Sequence, residues 1–263
     1  MHGLGNDFVI VRAEVGAFSQ EQCRLISDRH YGVGCDQFIV MEPAQDSAAD
    51  IFMRIYNPDG SEAGACGNAT RCVAHIWMTE NQKDKCTIQT IAGLLLCELH
   101  GDMVQVDMGP ARLDWQSIPM LEDRDTLNIQ FKDLPLPEAV AVSMGNPHCI
   151  FFVDDVELVS INTLGPLVEN HPLFPKRTNV EFAQILGPEK IRMRVWERGA
   201  GVTQACGSGA CATMVAAVRR KLTGRKAEIV LDGGSLFLEW REDGHVMMTG
   251  PVAYVFEGFF PII

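Results

Sequence analysis

Ala205-Cys206-Gly207-Ser208-Gly209-Ala210-Cys211-Ala212 reads as a tight turn running straight into a helix, and Ala65-Cys66-Gly67-Asn68 reads the same way. The two cysteines stand 140 positions apart. The same offset relates Gly5-Asn6 to Gly145-Asn146 and Tyr56-Asn57 to Trp196-Glu197, and Gly109-Pro110 returns as Gly250-Pro251 one position later. Such a repeat predicts two similar domains packed face to face, each bringing one Cys-Gly turn to a shared cleft. Two thiols facing each other suit the removal of a proton from one face of a carbon and its return to the other.

The flanking patterns predict an α+β fold: two pseudo-symmetric β-rich domains, each with a central helix, and an active site in the cleft between them. In the first half, Phe8–Val11, Gln37–Met41 and Ile51–Tyr56 read as strands. Ser19-x-x-Gln22 reads as a capping box opening a helix to about His30. A helix over 68–80 follows Cys66, and three strands follow near 86–91, 94–99 and 104–108. The second half repeats the plan with strands near 139–142, 150–153, 180–185 and 191–196, a helical patch over 161–170 interrupted at Gly165-Pro166, and a helix from Cys206 to about Leu222. A three-stranded meander then runs to Gly250-Pro251. The expected domains are 1–111 and 112–250, with a last strand in 251–263 crossing back to complete the first, and a linker over Pro110–Leu136.

A net charge of −12 without a basic run argues against a nucleic-acid surface. No apolar stretch approaches the roughly 18–20 residues that span a bilayer, so no membrane partner is expected. The first residues lack a basic start and an apolar core, so no signal peptide is expected. Nine cysteines in such a chain read as reduced thiols in a cytoplasmic protein rather than as a disulfide framework. No Cys-x-x-Cys pair exists and the seven histidines are scattered, so no metal site is expected.

The α-carbon of an amino acid is a weak acid, and many enzymes recruit pyridoxal phosphate as an electron sink. No lysine stands at a recognisable Schiff-base site and no dinucleotide fingerprint is present. Without a cofactor the protein must supply a base, an acid and strong stabilisation of an anion. A cysteine at a helix start can be base or acid, since that position favours the thiolate. The adjacent backbone amides can hold a carboxylate, and the glycine after each cysteine allows close approach. The alternative is that Cys66 and Cys206 are buried small hydrophobes, as free cysteines usually are. That is the reading for Cys72, Cys211, Cys23, Cys35, Cys86, Cys97 and Cys149; for Cys66 and Cys206 the duplicated context reverses it.

The stretches His2-Gly3-Leu4-Gly5-Asn6-Asp7-Phe8, Asn57-Pro58-Asp59-Gly60-Ser61-Glu62, Cys66-Gly67-Asn68, Gly145-Asn146-Pro147-His148, Arg177-Thr178-Asn179-Val180-Glu181 and Trp196-Glu197-Arg198-Gly199-Ala200-Gly201 carry a resemblance, as does the Cys206 stretch. In order and in content they resemble the diaminopimelate epimerase family across nearly the whole chain. The resemblance implies a cofactor-independent epimerase that interconverts LL- and meso-2,6-diaminopimelate in lysine and peptidoglycan biosynthesis, and a homodimer. By motif, Cys66 and Cys206 would be base and acid, exchanging roles with direction. Gly67, Asn68, Gly207 and Ser208 would grip the reacting carboxylate. Asn6, Gln37, Asn57, Asn146, Asn179, Glu197 and Arg198 would bind substrate, with His148 and Glu197 tuning the thiols. These types make sense: Arg198 offers a planar fork to a carboxylate, and asparagine both donates and accepts.

Three departures stand out. The chain starts close to the first motif, Val202 replaces a frequent Glu, and Phe256 stands where a tyrosine helps form the family's dimer. Competing readings are another cofactor-independent amino acid racemase on the same scaffold, a binding module, and a thiol redox protein joining Cys66 to Cys206. Asn57 and Asn146 precede prolines and also read as plain turn residues.

Overall fold

The computed structural model describes residues 1–261 and divides the chain into two units, Met1–Asp107 with the segment from Thr249 onward, and Met108–Met248. Unit 1 is built on strands β1 (His2–Gly3), β2 (Asn6–Arg12), β3 (Gln37–Glu42), β4 (Ile51–Tyr56), β5 (Glu62–Ala63), β6 (Lys85–Thr90), β7 (Gly93–His100) and the start of β8 (Met103–Pro110). Its helices are α1 (Gln20–Ser27) and α2 (Gly67–Asn81). The sheet order is β1-β2-β3-β4-β6-β7-β8, with β5 beside β4.

Unit 2 holds β9 (Ala139–Ser143), β10 (Pro147–Phe152), β11 (Asn179–Gly187), β12 (Lys190–Glu197), β13 (Gly201–Val202), β14 (Lys226–Leu231), β15 (Gly234–Trp240) and most of β16 (His245–Pro251), with helices α3 (Ile161–Glu169) and α4 (Gly207–Arg219). The order is β9-β10-β11-β12-β14-β15-β16, with β13 beside β12. Along each sheet the first five pairings run antiparallel, parallel, antiparallel, parallel, antiparallel. The 140-residue repeat is therefore a repeat of strand pairing as well as of sequence.

Each sheet wraps its own central helix. Helix α2 packs on β1 and β2 at one end of its sheet and on β6 and β7 near the other. Helix α4 packs on β9, β10, β11, β12, β14 and β15, and every side chain from Ala210 to Ala217 is fully buried. Small residues at Gly207, Gly209, Ala210 and Ala212 let that helix sit close to the strands. Cys72 and Cys211 lie inside these helices, fully buried, and burial pushes the Cys72 thiol up to about 12.

Helix α1 opens on the expected capping box: Gln22 N–H donates to Ser19 Oγ at 3.2 Å and Ser19 N–H to Gln22 Oε1 at 2.9 Å. It stops at Ser27, short of His30, because Asp28 turns extended and its carboxylate accepts from the amides of His30 and Tyr31 at 2.7 and 2.8 Å. Helix α3 runs unbroken through Gly165-Pro166, where an interruption was expected. The reason is tertiary: Gly165 seats the helix on Trp196, and a Cβ there would fall 2.5 Å from the indole Cγ. Among the described residues the expected closing strand is not formed over 252–261, and residues 262–263 lie outside the described residues. Ala253 instead makes a single bridge to His2, with amide hydrogen bonds of 3.0 and 2.9 Å, because β1 is only two residues long. No helix among the described residues is long and apolar enough to cross a membrane.

Candidate active site

In unit 1 the candidate residues gather at one end of the sheet. Strands β2 and β3 are parallel and begin at Asn6 and Gln37, while antiparallel β4 ends beside Asn57. Helix α2 begins at the same end, behind Cys66. Leu4 and Gly5 both take positive φ (57° and 83°), which makes the two-residue turn that hands Asn6 to this end. Asn6 Oδ1 accepts from Asn68 Nδ2 at 3.2 Å, and the Cys66 thiol lies 3.9 Å from the same oxygen. Asn6 Nδ2 in turn donates to Asp36 at 2.9 Å, and Asp36 is paired with Arg29. Gln37 Nε2 donates to Asn57 Oδ1 at 3.1 Å. Asn57 also closes its turn through Ser61, so it is a turn residue and a member of this cluster at once.

Unit 2 repeats the placement. Parallel β10 and β11 begin at Pro147 and Asn179, antiparallel β12 ends at Glu197, and α4 begins behind Cys206. Both cysteines are the N-caps of their helices and neither makes a side-chain capping bond. At Cys206 the Gly209 amide, in the first turn, leans on the sulfur and favours its thiolate. Cys66 is half-buried, whereas Cys206 is buried.

A chain of hydrogen bonds leads away from Cys206. Its sulfur is 3.6 Å from Ser208 Oγ, which accepts from Asn146 Nδ2 at 3.2 Å. Asn146 Oδ1 meets His148 Nε2 at 3.0 Å, and His148 Nδ1 meets Glu181 Oε1 at 2.6 Å. His148 and Glu181 are both fully buried. Burial pushes the Cys206 thiol well above the usual thiol range, and the charges of Glu197 and Glu181 push it further. Burial also raises the Glu197 carboxyl, against hydrogen bonds from Thr203 and Cys206 that pull it back. Burial and these two carboxylates thus all favour the neutral thiol at Cys206.

The remaining predicted residues form a second cluster. Asn179 Nδ2 donates to the Pro147 carbonyl at 2.9 Å, and Asn179 Oδ1 accepts from Arg198 N–H at 2.9 Å. Arg198 is exposed and anchored by one guanidinium bond, to the Lys176 carbonyl at 3.2 Å. Two buried carboxylates, Glu181 and Glu169, escaped the sequence reading. A signal for Glu181 existed, since an acidic residue amid Val180, Phe182 and Ala183 has to find a partner. Among the described residues no group of three His, Cys, Asp or Glu side chains could hold a metal.

Each half can therefore present one thiol, a helix start and a set of amide side chains. A profile described as diaminopimelate epimerase matches residues 1–113 and 140–255. A diaminopimelate epimerase from Rhodospirillum centenum is 59% identical, covering 98% of this chain and 90% of its own length. One from Acidiphilium cryptum is 54% identical, covering 98% and 94%. Among solved structures, a hydroxyproline epimerase from Agrobacterium vitis superposes with a TM-score of 0.68 at 16% identity, covering 97% of this chain and 89% of that one, a likeness of fold.

Proposed function

Since this chain belongs to the diaminopimelate epimerase family, we propose that Cys66 and Cys206 interconvert LL- and meso-2,6-diaminopimelate as a two-base pair. The observation that carries the reading is the matched placement of the two cysteines. Each caps a helix at the end of its sheet where Asn6, Gln37, Asn57 and Asn68, or Asn146, Asn179, Glu197 and Ser208, converge. One thiolate takes the α-proton, the C–H electron pair moves into the carboxylate as an enolate, and the opposite thiol delivers its proton to the other face. The sulfurs have then exchanged charge, so the same pair runs the reverse reaction. In this reading the buried Cys206, whose thiol is raised, starts as the acid and the half-buried Cys66 as the base.

The first-turn amides of Gly67, Asn68, Gly207 and Ser208 grip the reacting carboxylate, more tightly as charge moves onto it. Arg198 takes the distal carboxylate, Glu197 takes an ammonium group, and the asparagines with Gln37 read the rest. His148 and Glu197 set the charge around the thiols. Base, acid and anion grip all come from side chains and backbone, so the reaction as written needs no cofactor. We place the reaction in the cytoplasm, where lysine and peptidoglycan precursors are made. Tyr254, Val255, Phe256 and Phe259 are exposed apolar residues on the C-terminal segment, and we assign them to a homodimer contact. Sedimentation at increasing protein concentration tests it, and a monomer throughout refutes it.

The reaction is tested by incubating the reduced protein with LL-diaminopimelate in D2O and no additive. Deuterium entering one α-position as meso product forms is the expected result. No exchange by folded protein refutes the reading; exchange into proline or another single-ended amino acid instead favours a different racemase. The thiols give a second test. A raised ionisation keeps the proton on Cys206 throughout the ordinary thiol range and releases it only at higher pH. Peptide-mapped alkylation of Cys206 should therefore be slow near neutrality and climb only above that range. A midpoint at or below the usual thiol value would contradict the assignment of Cys206 as resting acid.

A further inference from the structure

Helix α3 ends on Glu169, a carboxylate that the reaction above does not use. It is only 5% exposed, yet it accepts hydrogen bonds from three separate places. Trp196 Nε1 donates to Oε2 at 2.7 Å, Gly199 N–H donates to Oε1 at 2.9 Å, and Arg177 Nη1 donates to Oε1 at 3.1 Å. Arg177 holds a left-handed backbone, φ 58°, which is uncommon for a residue with a side chain. Its Glu169 contact is the compensation that the structure offers for that strain. Gly165, one turn earlier on α3, presses the helix onto the Trp196 ring.

These contacts tie the segment before β11 to the turn after β12. The first carries Asn179 and the Lys176 carbonyl; the second carries Glu197 and Arg198. Among the described residues Arg198 is anchored by its N–H on Asn179 and its guanidinium on Lys176, and both lie on the segment that Glu169 holds against its turn. An exposed arginine loses much rotamer freedom when it binds a carboxylate, and a pre-set backbone lessens that loss.

We propose that Glu169 is a positioning residue for substrate selection: it clamps the 176–179 segment to the 196–199 turn so that Asn179, Glu197 and Arg198 act as one rigid reader of the second amino acid group of the substrate. The inference rests on the epimerase reading for its substrate, and on hydrogen bonds within one unit for its mechanism. It predicts a larger effect on binding than on proton transfer, because the three groups that donate to Glu169, on Trp196, Gly199 and Arg177, include no cysteine.

The test is Glu169→Gln, which keeps the side chain's size but turns an NH2 group toward a donor. KM for diaminopimelate should rise about tenfold, the size of one weakened charged hydrogen bond, while kcat stays within about threefold. Amide exchange at Gly199 should quicken in the same variant. Arg177→Ala, which removes a half-exposed guanidinium, should raise KM in the same direction and carries the test if Glu169→Gln does not fold. Unchanged KM in a folded variant overturns the proposal, and so does a loss confined to kcat. Slow Gly199 exchange in the unmodified protein reports the clamp even if no epimerisation is seen, whereas fast exchange there overturns it whatever the activity.

Discussion

Replacing either cap cysteine with alanine is expected to lower kcat by a factor of about 10³ or more, with little change in fold. General acid–base groups contribute about 10² to 10⁴ in rate, and a two-base reaction passes through both sulfurs, so neither can cover for the other. A thousandfold loss is about 4 kcal/mol of transition-state stabilisation. The α-proton signal in D2O should persist unexchanged with Cys66→Ala and with Cys206→Ala. Cys72→Ala and Cys211→Ala are the controls. Both thiols are fully buried inside their helices, so these variants should keep activity within about threefold once corrected for folded fraction. Losing activity equally in all four would mean that the cysteines serve packing, and the two-base reading would fail.

Gly209→Ala is expected to lower kcat about a hundredfold and to destabilise the protein by about 1–3 kcal/mol. A Cβ at this position would fall 2.7 Å from Glu181 Oε1, 3.3 Å from Cys206 Sγ and 3.4 Å from Cys206 Cβ. The glutamate cannot easily retreat, because it is fully buried and held 2.6 Å from His148 Nδ1. The helix start or the sulfur must move instead, and a shift of that kind misplaces the acid. Alanine would otherwise favour a helix by up to about 1 kcal/mol over glycine, so a net loss reports the clash rather than propensity. Gly224, with open space around its Cβ direction, is the matched control: Gly224→Ala should be near neutral in urea unfolding and in rate. A fully active, fully stable Gly209→Ala would show that Glu181 and Cys206 are not packed as described.

The same cluster shows why some of the site was readable from sequence and some was not. Asn6, Cys66, Asn146 and Cys206 announce themselves because each is one half of a repeated pair set beside a glycine, at positive φ in a turn for Gly5 and Gly145 and at a helix start for Gly67 and Gly207. Their positions follow from local rules of turns and helix starts. Glu181 and Glu169 obey no such rule. Each is an isolated acidic residue whose partners come from segments 27 to 33 positions away (Trp196, Gly199 and His148) or from Arg177 on a strained turn. Nothing in the spacing of a carboxylate says which donors a fold will bring to it.

By itself the sequence determined the twofold repeat, the α+β plan, the two helices that start at cysteines, and the family. Those features arise from local physics: strand and helix periods, reciprocal capping at Ser19 and Gln22, and glycines at positive φ. The tertiary structure alone decided three other things. It paired β10 with β11 and β2 with β3 in parallel across long connections, it carried α3 through Pro166 by seating Gly165 on Trp196, and it left 252–261 with one bridge in place of a strand. It also set the environment that raises the Cys206 thiol, since that depends on burial and on Glu197 and Glu181 standing near it. Each of these is a competition among distant contacts, in which packing and desolvation outweigh local preference, and so it is settled only when the whole chain has folded.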